Sequence, residues 1–230
     1  MVRKPLSPGK ARKEDLVRRQ REDIITAASA EFAANGFNGA QIGVIATTAE
    51  VSLTTLYSMF QSKDALYREV VLQASIAIKA GVFHKMEHIK SPSKQLIAFV
   101  EALLSSYEKN RDFMRLYVHA TQGFPYRIRP ELGDEALGLF QSITAWLVDT
   151  AEEAKRRGEI SSDLDAEAVA YTIMGSIVTT CSQWVERNEP RPLSEAAPAL
   201  TAVLERMLGA AEGKGGTQRR LAASDRKSTK

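Results

Sequence analysis

Cysteine occurs once, at Cys181, so the chain has no internal disulfide framework and no cysteine-cluster metal site. The opening residues, MVRKPLSPGKARK, lack the apolar run of a secretory signal, and a cytoplasmic protein is the expectation. Uncharged stretches are short. One of the two longest, Ala168 to Val185, approaches membrane-spanning length, but Thr172, Ser176, Thr179, Thr180, Ser182 and Gln183 interrupt it, so it reads as a buried helix of a soluble domain, against a bilayer span. No P-loop, Gly-rich dinucleotide turn or nucleophile elbow appears, so neither a cofactor nor a catalytic residue is assigned. Alternating strand patterns of useful length are missing as well.

What remains is an ordinary globular composition of 230 residues, 44% hydrophobic and 26% charged, long enough to bury a proper core. Its charge is uneven. Residues 1–21 are net +6 and residues 212–230 net +4, which leaves −7 between them in a chain of +3 overall. Both ends are rich in Gly, Pro, Ser and Lys, and are expected to be flexible basic arms, residues 1–20 and 212–230, around a folded body. A basic arm suits a polyanion, although a charged tail can also serve only solubility.

Helical period runs through the body. Ile24, Ile25, Ala28 and Phe32 form one stripe ended by Gly36, which places helix one over 21–35. Short helices are expected over 41–48 and 52–58, the second capped by Ser52, then a long fourth helix capped by Ser62. Later stripes include Leu96, Val100 and Leu103; Phe113, Leu116 and Tyr117; and Leu137, Thr144 and Leu147; two last helices span about 166–187 and 194–208. The fold class is all-α with about nine helices.

Within it, VSLTTLYSMFQSKDAL carries hydroxyls and a tyrosine on a short helix with no charge before Lys63. Two short helices joined by a tight turn, the second bearing small hydroxyls, form the pattern of a helix-turn-helix whose second helix enters the major groove. Ile42, Ile45, Ala46, Ala49, Val51, Leu56 and Phe60 would face inward, and Ser52, Leu53, Thr54, Thr55 and Ser58 outward. Threonine can hydrogen-bond to base edges or phosphates, and its methyl can touch that of thymine.

Across REDIITAASAEFAANGF and IGVIATTAEVSLTTLYSMFQSKDAL the chain resembles the TetR family of bacterial transcriptional regulators. Ala28, Phe32, Gly36, Phe37, Ile45, Ala46, Val51, Ser52, Leu56, Tyr57, Phe60, Lys63 and Leu66 stand where that family's pattern has their residue types. The resemblance implies a helix-turn-helix domain over 21–66 and a ligand-binding and dimerisation domain over 67–211. It implies a homodimeric regulator, most simply a repressor, that binds a near-palindromic operator on double-stranded DNA in a bacterial nucleoid and is released by a largely apolar small-molecule inducer. Tyr57 and Lys63 would meet phosphates, Lys63 from the start of helix four, and Thr54 and Thr55 would lie nearest the bases. Gln41 joins this set, as do Arg18, Arg19 and Arg21 of the arm.

Three departures from the family pattern bear on rigidity. Ala40 and Gln41 stand where a capping hydroxyl is usual, at a cost of about 1 kcal/mol. Gly43 weakens helix two by a similar amount. Glu50 replaces a turn glycine, where a positive φ strains a side-chain-bearing residue by roughly 1 kcal/mol. Residues 22–80 are net −3, so phosphate attraction is expected to come from the arm.

By the same resemblance the remaining helices sense a ligand and dimerise. Phe83, Phe99, Tyr107, Phe113, Tyr117, Phe140 and Trp146 are candidates for an apolar pocket lining, with Arg127 of GFPYRIRP offering a cation to a carboxylate; plain core packing and a solvated arginine are the competing readings. Val169, Ile173, Ile177, Cys181, Trp184, Val203 and Met207 are assigned to a dimer seam, against a core within one protomer. Two readings of other classes stay open: a helical adaptor without sequence-specific DNA binding, and a zinc hydrolase using HKMEH, His84 to His88, which matches H-x-x-E-H.

Overall fold

A computed structural model describes residues 8–187 and 191–209, with side chains from residue 12. In chain order its helices are α1 (Pro8–Gly39), α2 (Ile42–Thr48), α3 (Leu53–Met59), α4 (Lys63–Met86), α5 (Pro92–Lys109), α6 (Arg111–Thr121), α7 (Ile128–Leu132), α8 (Asp134–Arg156), α9 (Ala166–Glu186) and α10 (Leu193–Gly209). A 3-10 turn, Pro125–Arg127, precedes α7, and no strand occurs among the described residues. The all-α expectation holds, with one helix more than the count from periodicity: α7 has only five residues, too few to show a period.

The N-terminal arm departs from expectation. Residues 8–20 are not a flexible segment but the first turns of α1, which runs on into the helix expected from residue 21. The tail over 212–230 lies outside the described residues. Gly36, at φ 69 and ψ 174, breaks the helical path, a conformation that a residue with a Cβ rarely adopts.

The chain forms two compact units, and their boundaries do not follow the expected division at residue 66. The first takes residues 1–76 and 111–136, the second 77–110 and 137–230. In the first unit Ile24, Ala27, Ala28 and Phe32 sink one face of α1 into the core. Phe32, Phe37 and Tyr67 close into an aromatic triad, with the Tyr67 ring 5.1 Å from each phenylalanine. The Tyr67 hydroxyl donates to the Leu116 carbonyl at 2.7 Å, which satisfies its polar tip, and burial pushes the phenol up to about 12. Beside it Arg68 donates to the Pro130 and Glu131 carbonyls, both at 3.1 Å. These two side chains tie α4 to α6 and α7, and α6 also packs along α1, so residues 111–136 belong to this unit.

In the second unit α10 packs along α5, and α9 touches both. Leu96, Phe99, Val100, Leu103 and Leu104 of α5 are buried in the core of this unit. The start of α5 is held by Ser91 as N-cap and by Glu159, whose Oε2 accepts from the Ser91 hydroxyl at 2.6 Å and from the Ser93 amide and hydroxyl at 3.0 and 2.8 Å. A carboxylate there satisfies the otherwise orphaned Ser93 amide and complements the helix dipole. Among the described residues no helix is long and apolar enough to cross a membrane.

Candidate DNA-reading surface

The helix-turn-helix is built from its buried side. Ile45 and Ala46 of α2 with Ala49 at its C-cap, and Leu56 of α3 with Phe60 at its C-cap, are buried, and Ile42 and Val51 are half-buried, as their period predicts. Small Ala46 lets the two helices approach. The turn is closed by the Val51 amide donating to the Ala46 carbonyl at 3.0 Å and the Glu50 amide to Thr47 at 3.1 Å. Glu50 itself sits at φ 54, the left-handed conformation expected of the glycine it replaces.

Ser52 caps α3 as expected. Its Oγ accepts from the Thr55 amide at 3.0 Å and lies 2.8 Å from the Thr55 hydroxyl. Thr55 is thereby half-buried and engaged in the cap, whereas Ser52, Thr54 and Ser58 are exposed. Leu53 and Tyr57 stand out beside them at 50% and 49% exposure. At the start of α4, Ser62 Oγ accepts from the Ala65 amide at 3.0 Å. Lys63 lies close by, its Nζ donating to the Asn38 carbonyl at 3.3 Å and standing 5.0 Å from the Phe37 ring centroid. One short helix therefore shows hydroxyls, an apolar tip and a phenol on its outer face, with a half-buried ammonium at the next helix start.

Gln41 contributes in an unexpected way. Its side chain makes no cap for α2; instead its backbone N–H donates to Glu31 Oε1 of α1 at 3.0 Å. Nothing local marks Glu31, because the contact spans ten residues and depends on α1 lying against α2.

The arm arginines divide. Arg18 pairs with Asp15 at 2.5 Å and Glu22 at 3.2 Å, and Arg19 with Asp15 at 3.2 Å, all on the exposed surface of α1. Arg21 turns toward the body, pairing with Glu69 at 3.1 Å and covering the Phe60 ring at 4.7 Å. It is more a clamp between α1, α3 and α4 than an outward cation.

Other expected sites fare differently. Phe83, Phe99 and Trp146 form one cluster in the second unit, with Trp146 4.9 and 5.4 Å from the two phenylalanines, and Tyr107 and Phe140 are half-buried in the same unit. Phe113 and Tyr117 stack at 6.0 Å in the first unit, where burial raises the Tyr117 phenol to about 12. Arg127 is occupied by Gln122 Oε1 at 2.8 Å and Glu131 Oε1 at 2.9 Å, not held out to a ligand.

The assigned dimer seam needs correction. Val169, Ile173, Ile177, Cys181 and Trp184 are buried inside the protomer, so this face of α9 is already covered. The run is uncharged on every side, which left periodicity unable to say which side turns inward. The exposed face carries Tyr171, Thr172, Gly175 and Thr179; on α10 Val203 is exposed and Met207 half-buried. HKMEH also loses its geometry. Helix α4 ends at Met86, so His84 and His88 are not one helical turn apart, and His84 pairs with Glu87 at 3.4 Å. No group of three metal-ligating side chains occurs among the described residues.

Residues 24–70, the segment whose outer face has just been described, match the pattern of "Bacterial regulatory proteins, tetR family". The match covers the helix-turn-helix segment of the chain. The chain is a DNA-binding transcriptional regulator. It is 24% identical over 197 residues to the HTH-type transcriptional regulator YdgC of Bacillus subtilis, covering 82% of this chain and 92% of the relative. It is 22% identical to the "Probable acrEF/envCD operon repressor" of Escherichia coli, over 81% of this chain and 86% of that one. Among solved structures it resembles the transcriptional regulator FadR of Bacillus subtilis in complex with stearoyl-CoA, with a TM-score of 0.69 at 20% identity over 81% of this chain and 98% of FadR. That similarity concerns the fold alone, an all-α chain with the helix-turn-helix toward its N-terminal end.

Proposed function

We propose that this regulator is a homodimeric repressor that reads a near-palindromic operator with α3 and is released by a largely apolar small molecule. The observation that carries the reading is the outer face of α3, where Ser52, Leu53, Thr54, Tyr57 and Ser58 stand exposed without a charge while Leu56 fixes the opposite face. Hydroxyl and methyl groups at the helix start suit base edges, and Tyr57 with Lys63 suits flanking phosphates.

Two copies are needed for two half-sites about one helical turn apart. The outward faces of α9 and α10 support the pairing. Eighteen residues without a charge, Ala168 to Val185, leave the solvent side of α9 uncharged, with Tyr171 60% exposed. Partner helices would cover that surface, burying apolar area at little desolvation cost.

An apolar inducer fits the Phe83, Phe99 and Trp146 cluster, and the long acyl ligand bound by the FadR relative supports the class. Helix α4 is continuous from the DNA-reading unit into the unit holding that cluster, since the boundary falls after Ile76. Ligand would favour one dimer geometry and DNA another, so each weakens the other's binding by the same factor.

The test is selection of bound duplexes from a randomised pool by the purified full-length chain, followed by sequencing. An enriched inverted repeat is the expected result. Salt-sensitive binding with no enrichment would overturn the reading in favour of an adaptor whose basic segment touches polyanions indiscriminately.

A further inference from the structure

The N-terminal part of α1 has more order than its composition suggests. Residues 12–14 and 16–19 are exposed and Asp15 half-buried, with burial beginning only at Ile24. A helix with no core face is marginal by itself, so this one depends on being continuous with the buried part of α1 and on its own side-chain pairs. Its exit from the body is clamped. Arg21 is held between Glu69 and the Phe60 ring, and Gln20 and Asp23 border a groove completed by Thr48, Ala49, Glu50 and Val51. The extension thus leaves the domain between the turn of the helix-turn-helix and the end of the recognition helix. Beyond the clamped Arg21 it carries Arg12, Lys13, Arg18 and Arg19 against Glu14 and Asp15, while residues 22–80 are net −3.

We propose that residues 12–21 are a preformed helical phosphate-binding arm in which Asp15 is the internal counter-ion, competing with DNA phosphate for Arg18 and Arg19. The proposal rests on the DNA-reading function given above. Asp15 touches both guanidiniums, at 2.5 and 3.2 Å, and occupies the forked donors that a phosphate would use. The Arg18 hydrogen bond, then its charge, holds the Asp15 carboxyl below the usual carboxylate range. Exposed pairs of this kind are weak enough for a phosphate row to displace them. Asp15 therefore lowers general affinity for polyanions while keeping the two arginines aligned, so that contacts made by α3 decide where the protein stays.

The experiment titrates the full-length protein against a random-sequence duplex about three helical turns long over a range of salt. Replacing Arg18 and Arg19 together by Ala should flatten the log affinity against log salt line by roughly 0.9 per lost phosphate contact, and Arg18→Gln alone by about half the total. Asp15→Asn should tighten binding several-fold at low salt. Asp163→Asn, which makes the same charge change in the other unit, should have a smaller effect. Far-UV circular dichroism checks that α1 remains helical in each variant.

An unchanged slope in folded arginine variants, or Asp15→Asn no tighter than Asp163→Asn, overturns the proposal. If the wild type selects an inverted repeat while the variants leave the slope unchanged, only the arm fails. If the wild type selects nothing, the DNA-reading function itself fails.

Discussion

Glu31 Oε1 on α1 accepts from the backbone N–H of Gln41, the N-cap residue of α2, at 3.0 Å, so a carboxylate from a different helix satisfies that amide where Gln41 itself supplies no side-chain cap. The first amides of a helix need an acceptor, and α2 is only seven residues long, so this contact both satisfies the chain and orients α2 against α1. Glu31→Ala should lower stability by about 1 kcal/mol, the usual cost of a lost cap, and weaken selected-duplex binding. Glu31→Gln, which keeps an acceptor oxygen, should lose less. Urea denaturation with equal m-values for the three proteins checks the comparison.

The turn of the helix-turn-helix stores strain that one substitution should release. Glu50 sits at φ 54, and Gly there removes the Cβ that makes the left-handed region costly. Glu50→Gly should stabilise the protein by roughly 0.5–1 kcal/mol, the left-handed strain less the added chain entropy. Gly43 is the complementary case: a Cβ built there meets nothing within 4 Å, so Gly43→Ala should stabilise by about 1 kcal/mol. Thermal melts of the single and double variants test both; loss of stability in either would mean that the local backbone differs.

The proposed dimer face makes a prediction opposite to that of the buried one. Tyr171→Arg places a charge on the solvent side of α9 and should yield a folded monomer, visible by sedimentation velocity as a concentration-independent single species. Ile173→Ala, two residues along but at 0% exposure, should cost 2–5 kcal/mol of stability instead, the range for truncating a buried Ile. A Tyr171→Arg protein that remains dimeric would remove this face from the interface.

Glu159 links stability to acid. Hydrogen bonds from the Ser91 hydroxyl, then the Ser93 amide, lower its carboxyl below the ordinary value, so the folded protein binds this proton less readily than the unfolded chain. The stabilisation is therefore complete above the unfolded value of about 4.3 and declines as pH falls through the lowered folded value. The stability difference between wild type and Glu159→Gln should be largest near neutrality and should close on acidification. Urea midpoints measured from neutral pH to about pH 3 would show it. A gap independent of pH would mean that Gln reproduces the contact or that the carboxylate makes none.

The sequence by itself determined the fold class, the placing of α2 and α3, the Ser52 and Ser62 caps and the strained position of Glu50. Each follows from relations within a few residues: a 3.6-residue period, a hydroxyl three residues before the amide it accepts from, a side chain where a turn wants glycine. The outer face of α3 was legible for the same reason, since Leu56 and Phe60 turn inward and leave Thr54, Tyr57 and Ser58 outside.

Only the tertiary structure decided which side of α9 is core, because a helix uncharged all round offers no contrast for period to detect. It joined Glu31 to Gln41, Tyr67 to Leu116 and Arg68 to α7, contacts separated by 10, 49 and more than 60 residues. It also continued α1 back to Pro8, where composition suggested a loose arm, and turned Arg21 toward the body while leaving Arg18 and Arg19 outside. Those outcomes depend on which surfaces meet after folding, and that is set by the packing of whole helices, not by the order of neighbouring residues.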